Sequence, residues 1–161
     1  MAIFHNLDER THIMPLVAPV DAAANAQTTG FVDMSKYNQV HFVVFLGAAD
    51  TVGTIALEQA NTADTTTATL EAGLGFYYRK SGADAADTMG AITHVDSTAS
   101  LATAAADDNL LFIIEPDQLT DGYRYARLVF TPSGTSASCL VGVHAVLSGI
   151  RYAANVMISA T

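Results

Sequence analysis

Gln39-Val-His-Phe-Val-Val-Phe-Leu-Gly47 is a run of β-branched and aromatic residues that ends at the turn-forming Gly47-Ala-Ala-Asp50. Its length suits a strand better than a helix. Because it is apolar on both faces, it reads as a central strand covered on two sides. Downstream, Thr54–Ala60 (TIALEQA) places Ile55 and Leu57 on one face and Thr54, Ala56 and Glu58 on the other, the period-two pattern of a half-buried strand. Residues 61–71 are rich in Thr, Ala and Asp and read as an exposed loop or edge excursion. Strand patterning resumes at Gly73–Lys80 (GLGFYYRK), weakens over 88–95 and 100–104, and returns strongly at Asn109–Glu115 (NLLFIIE). Pro116, which cannot donate to a ladder, stops that strand, and Pro116–Leu119 reads as a single helical turn.

Two later stretches alternate clearly. Tyr123–Thr131 (YRYARLVFT) sets Ala126, Leu128 and Phe130 against Tyr123, Tyr125 and Arg127, and Ala137–Leu147 gathers Cys139, Val141, Val143, Ala145 and Leu147 on one face. Upstream, Gly30–Met34 is a further strand. Roughly eight or nine short strands at such spacing predict an all-β fold, a two-sheet antiparallel sandwich of jelly-roll-like or immunoglobulin-like type. Periodicity leaves the strand order open. The expected organisation is an extended N-terminal arm over 1–20, where Pro15 and Pro19 disfavour a central strand, a sandwich over 21–150, and a C-terminal tail over 151–161.

The 161 residues can enclose a core without metal or disulfide staples. Half are hydrophobic and only 14% are charged, which excludes intrinsic disorder. A soluble domain usually carries about 25–35% charged residues on its surface, so this composition points to an exterior largely covered by partners; the alternative is an Ala-rich monomer with a neutral skin. Sixteen Asp and Glu against seven Lys and Arg give a net charge of −9, which repels phosphate backbones and argues against direct nucleic-acid binding. No apolar run is long enough for a transmembrane helix, and the first ten residues lack the apolar segment of a secretory signal. The single cysteine, Cys139, lies in an apolar stretch and reads as a small buried hydrophobe of a protein assembled in a reducing cytoplasm.

Catalytic and metal-binding patterns do not emerge. His5, His12, His41, His94 and His144 are scattered, with no HExxH, CxxC or EF-hand spacing, although His41 and His144 lie in strands that could pair. No G-x-S-x-G turn occurs, and Gly73-Leu-Gly75 lacks the third glycine of a dinucleotide loop. The expectation is a non-enzyme without metal or cofactor. What remains is contact chemistry. Tyr77 and Arg79, then Tyr123, Arg124, Tyr125 and Arg127, then Arg151 and Tyr152, pair aromatic with cationic side chains, the types enriched at interface hot spots. With Arg10, Met14 and Leu16 of the expected arm they form the candidate protein-protein interface; the alternative is that the tyrosines cap the sandwich edge and the arginines offset nearby acids.

The run Pro15–Gly47 (PLVAPVDAAANAQTTGFVDMSKYNQVHFVVFLG), then TIALEQA, DNLLFIIEPDQLTDGYRYARLVF and VHAVLSGIRYA, resembles a family of auxiliary virion proteins encoded among tailed-bacteriophage head genes. The resemblance spans most of the chain and rests on feature order: Pro-Val-Asp, Tyr-Asn before a strand, Ile-Glu-x-Asp-x-Leu, Gly-Tyr-x-Tyr-x-Arg-Leu and Leu-Ser-Gly-x-Arg-Tyr-Ala. It implies a capsid decoration or cement protein on the capsid exterior, with the major capsid protein as partner. It also implies self-association, a trimer before a dimer, and no active site. The chain departs from the family in its Ala/Thr-rich stretch over 61–72 and its C-terminal tail. Other readings are a tail, head-tail joining or fibre-base component, or a carbohydrate-binding or hydrolytic β-sandwich.

Overall fold

A computed structural model describes residues 11–22, 25–49, 53–64, 70–72, 75–81, 89–95, 101–103, 109–132 and 139–150. The strands are β1 (Thr11–Asp21), β2 (Gln27–Thr28), β3 (Val32–Asp33), β4 (Tyr37–Ala49), β5 (Gly53–Ala60), β6 (Leu70–Ala72) and β7 (Phe76–Ser81). They continue with β8 (Thr93–Val95), β9 (Leu101–Thr103), β10 (Asn109–Ile114), β11 (Tyr125–Pro132) and β12 (Cys139–Ile150). Short 3-10 turns at Met34–Lys36 and Pro116–Gln118 are the only helical elements among the described residues. The fold is an all-β sandwich of two antiparallel sheets. One runs β1-β12-β4-β10-β7-β8; in the other, β11 and β5 are central, flanked by β2 and β3 on one side and by β6 and β9 on the other.

The alternating strands turn one face inward. Val40, Phe42, Val44 and Leu46 of β4, Leu110, Phe112 and Ile114 of β10, and Val141, Val143, Ala145 and Leu147 of β12 line the first sheet's inner face. Ile55, Leu57, Ala126, Leu128 and Phe130 meet them from the second. Packing is tight: the void between the sheets, among Val44, Ile55, Leu128, Phe130 and Val143, is about 10 Å³. It is apolar and at the lower limit for a single water. The Phe112 ring meets Phe76 edge-on at 5.3 Å and stacks on Tyr78 at 6.0 Å. Gly53 carries no side chain because the Phe130 ring lies where its Cβ would be, 2.4 Å away. Gly149, at φ +64°, supplies a left-handed residue near the end of β12 that abuts Asn38.

Three expectations change. Residues 11–20 are not a separate arm, since β1 pairs with β12 from Thr11–Ser148 to Asp21–Leu140. The prolines are tolerated because β1 is the outermost strand, and the register shifts at Pro15–Val17 and Val17–Val20 absorb the missing N–H groups. The β4 strand is central, as expected, but covered on one face only: Phe45 is 45% exposed. The expected first strand, Gly30–Met34, shortens to β3 because the Asp33 carboxylate accepts from the Ser35 N–H and starts a 3-10 turn.

Candidate interaction surface

The register of the six-stranded sheet assembles its outward face. Gln39, His41, Val43 and Phe45 of β4 stand beside Ser148, Val146, His144 and Gly142 of β12. On the other side they meet Ile113, Leu111 and Asn109 of β10. Ile13 extends the face beyond Val146 on β1, and Tyr77 and Arg79 extend it beyond Ile113 and Leu111 on β7. Across the three central strands these outward positions include no Asp, Glu, Lys or Arg, in a chain whose net charge is −9. Ile13 is 53% exposed and Leu140 43%, while Val43, Leu111, Ile113 and Val146 are half-buried by one another. Contiguous apolar surface of this kind is a feature that interaction sites share.

Histidines interrupt this surface. The pairing of β4 with β12 puts His41 opposite Val146 and His144 opposite Val43, so the two imidazoles are diagonal neighbours. His41 Nε2 and His144 Nδ1 are buried without a hydrogen-bond partner, and the His144 ring meets Phe45 edge-on at 5.8 Å. Burial holds the His41 imidazole below the ordinary histidine value of 6.5, favouring the neutral form. Among the described residues, no three His, Cys, Asp or Glu side chains come together to hold a metal ion. Cys139 is buried, and desolvation, reinforced by the Asp21 carboxylate, pushes its thiol up, away from the nucleophilic thiolate.

The opposite sheet differs. Arg127 forms an ion pair with Glu58 at 2.7 Å, directly across from it on β5, and its guanidinium lies over the Phe31 ring at 4.8 Å. Arg124 packs over the Tyr125 ring, also at 4.8 Å, and donates to its hydroxyl. These contacts satisfy the aromatic and cationic groups within the fold.

The expected interface residues therefore divide. Tyr77, 44% exposed, and Arg79 lie on β7, at the margin of the face whose central strands carry no charge, whereas Tyr125 and Arg127 lie on the second sheet, with Tyr123 and Arg124 on the turn that leads into it. Met14 and Leu16 pack against the core instead of reaching outward. Arg10, Arg151 and Tyr152 lie outside the described residues. Ile13, Val43, Phe45, Leu111, Ile113, Leu140 and Val146, which sequence reasoning missed, form the apolar surface. For Val43 and Phe45 the signal is the double-sided apolarity of Gln39–Gly47, which reads equally well as burial between layers. Comparison with models of known protein families, with curated proteins and with solved structures finds no match to this chain.

Proposed function

We propose that the protein is a structural component of a tailed-phage particle, a decoration protein that binds the capsid exterior and braces neighbouring major capsid subunits. The single observation that carries the docking part is the uncharged outer face of β12, β4 and β10. Exposed Phe45 and Leu140 on so acidic a chain are costly to leave in water and favourable to cover. The family resemblance of the sequence supports the phage-particle part of this reading. In this reading the sheet face lies against capsid subunits and copies gather in threes near local three-fold positions. Stabilisation then follows from surface burial alone. A standard interface of about 1,600 Å², repeated over symmetry-related sites, must be given up before the shell can open.

The test is co-sedimentation with undecorated phage capsids. Wild-type protein should pellet with the particles, and Phe45→Asp should not, because a carboxylate at the centre of the covered face loses its hydration without gaining a partner. Arg124→Ala, on the far side, should pellet like wild type. Failure of the wild-type chain to bind, or undiminished binding by Phe45→Asp, refutes the proposal.

A further inference from the structure

At one end of the apolar face the surface changes character. Tyr77, Ile113, Glu115, Asp117 and Gln118 line an open groove of about 310 Å³ where β10 runs into the 3-10 turn. The apolar part is built on the sheet: Ile113 faces Tyr77 across the β10–β7 ladder, and the Tyr77 ring is steadied by His94 of β8 at 4.8 Å. The acidic part is built on the turn. Pro116 starts it, the Gln118 side chain accepts from the Glu115 N–H at 2.7 Å, and Gln39 donates to the Glu115 carboxylate at 3.2 Å. Ion pairs among the described residues join Lys36 to Asp33 and Arg127 to Glu58, and leave Glu115 and Asp117 without a cation.

We infer that this groove receives an arginine side chain from the protein that covers the sheet. The inference rests on the docking of this face and names part of the partner's chemistry. An arginine fits each part of the groove: its methylenes lie along Ile113, its planar guanidinium stacks on the Tyr77 ring, and its donor fork meets the two carboxylates. An aliphatic side chain would take both carboxylates out of water without a counter-charge, and an acidic one would be repelled. Arg79 stands opposite Leu111, two residues farther along β7 from the turn than the Tyr77–Ile113 pair.

Titration of the isotope-labelled full chain, followed by two-dimensional NMR, tests the groove directly. The probes are N-acetylargininamide, the uncharged isostere N-acetylcitrullinamide, and N-acetyllysinamide. The arginine probe should give saturable shifts at the amides of Tyr77, Ile113, Glu115 and Gln118, with citrulline and lysine roughly tenfold weaker or more. The double variant Glu115→Gln/Asp117→Asn should bring arginine down to the citrulline level, with the changes in its unliganded spectrum confined to the turn and to Gln39, which donates to Glu115. Asp117→Asn alone, at a side chain the fold does not use, should weaken it in the same direction. Equal binding of arginine and citrulline, lysine as tight as arginine, or variants that bind like wild type overturn the inference. The titration needs no capsid. A chain that binds arginine but not capsids refutes the virion reading alone, and one that pellets with capsids but ignores arginine refutes this inference alone.

Discussion

His41 illustrates how one residue reports on the surface around it. Its Nε2 is buried without a partner, facing Val146 across the ladder to β12 and Ile113 across the ladder to β10, so nothing compensates for a positive charge there. Its folded-state pKa is lowered by burial, while in the unfolded chain it takes the ordinary value of 6.5. The unfolded state therefore binds the proton first as the pH falls. This contribution to stability is present above that value and is lost as the pH drops from it toward the folded-state pKa. Urea midpoints measured from roughly pH 7.5 down to pH 5 should decline in the wild type and decline less steeply in His41→Gln. Identical slopes in the two proteins would show that the imidazole is hydrated in the folded state.

At the scale of elements, the corner between the sheets carries the most specific polar contact. Gln59 of β5 is almost wholly buried, and its amide both donates to Thr120 Oγ and accepts from the Thr120 N–H, each at 2.8 Å. It thereby holds the loop after the Pro116–Gln118 turn against the second sheet. Gln59→Leu leaves those groups unpaired and should cost about 1–3 kcal/mol, read as a lower urea midpoint at unchanged slope. Wild-type stability in this variant would mean the corner is held by other contacts. Much of this architecture was legible in the chain. Ala126, Leu128 and Phe130 alternate because β11 has one wet face, Cys139 through Leu147 do so along β12, and Pro116 ends β10 where it was expected to. The pairing of β1 was not legible, because Pro15 and Pro19 exclude a strand from a sheet's interior but say nothing about its edge. Strand order was hidden for a related reason: ladders join Cys139–Ile150 to Thr11–Asp21 and to Tyr37–Ala49, across separations that local patterning does not encode.

Across the whole molecule, the two outward faces differ in composition. One spends its aromatic and cationic side chains on internal contacts such as Arg127 with Glu58 and Phe31; the other presents Ile13, Phe45, Tyr77 and Leu140 with no charge across its central strands. Sequence patterning found Tyr77 and Arg79 but not the surface they border, since an apolar residue facing a partner and one facing a second layer look alike in a linear chain. The most direct measurement is hydroxyl-radical footprinting of the chain free and bound to capsids. Docking through the six-stranded sheet predicts strong protection of Phe45, Tyr77 and Leu140 on binding, while Tyr125 keeps its free-state reactivity. Protection of Tyr125 with Phe45 and Leu140 left fully reactive would contradict it.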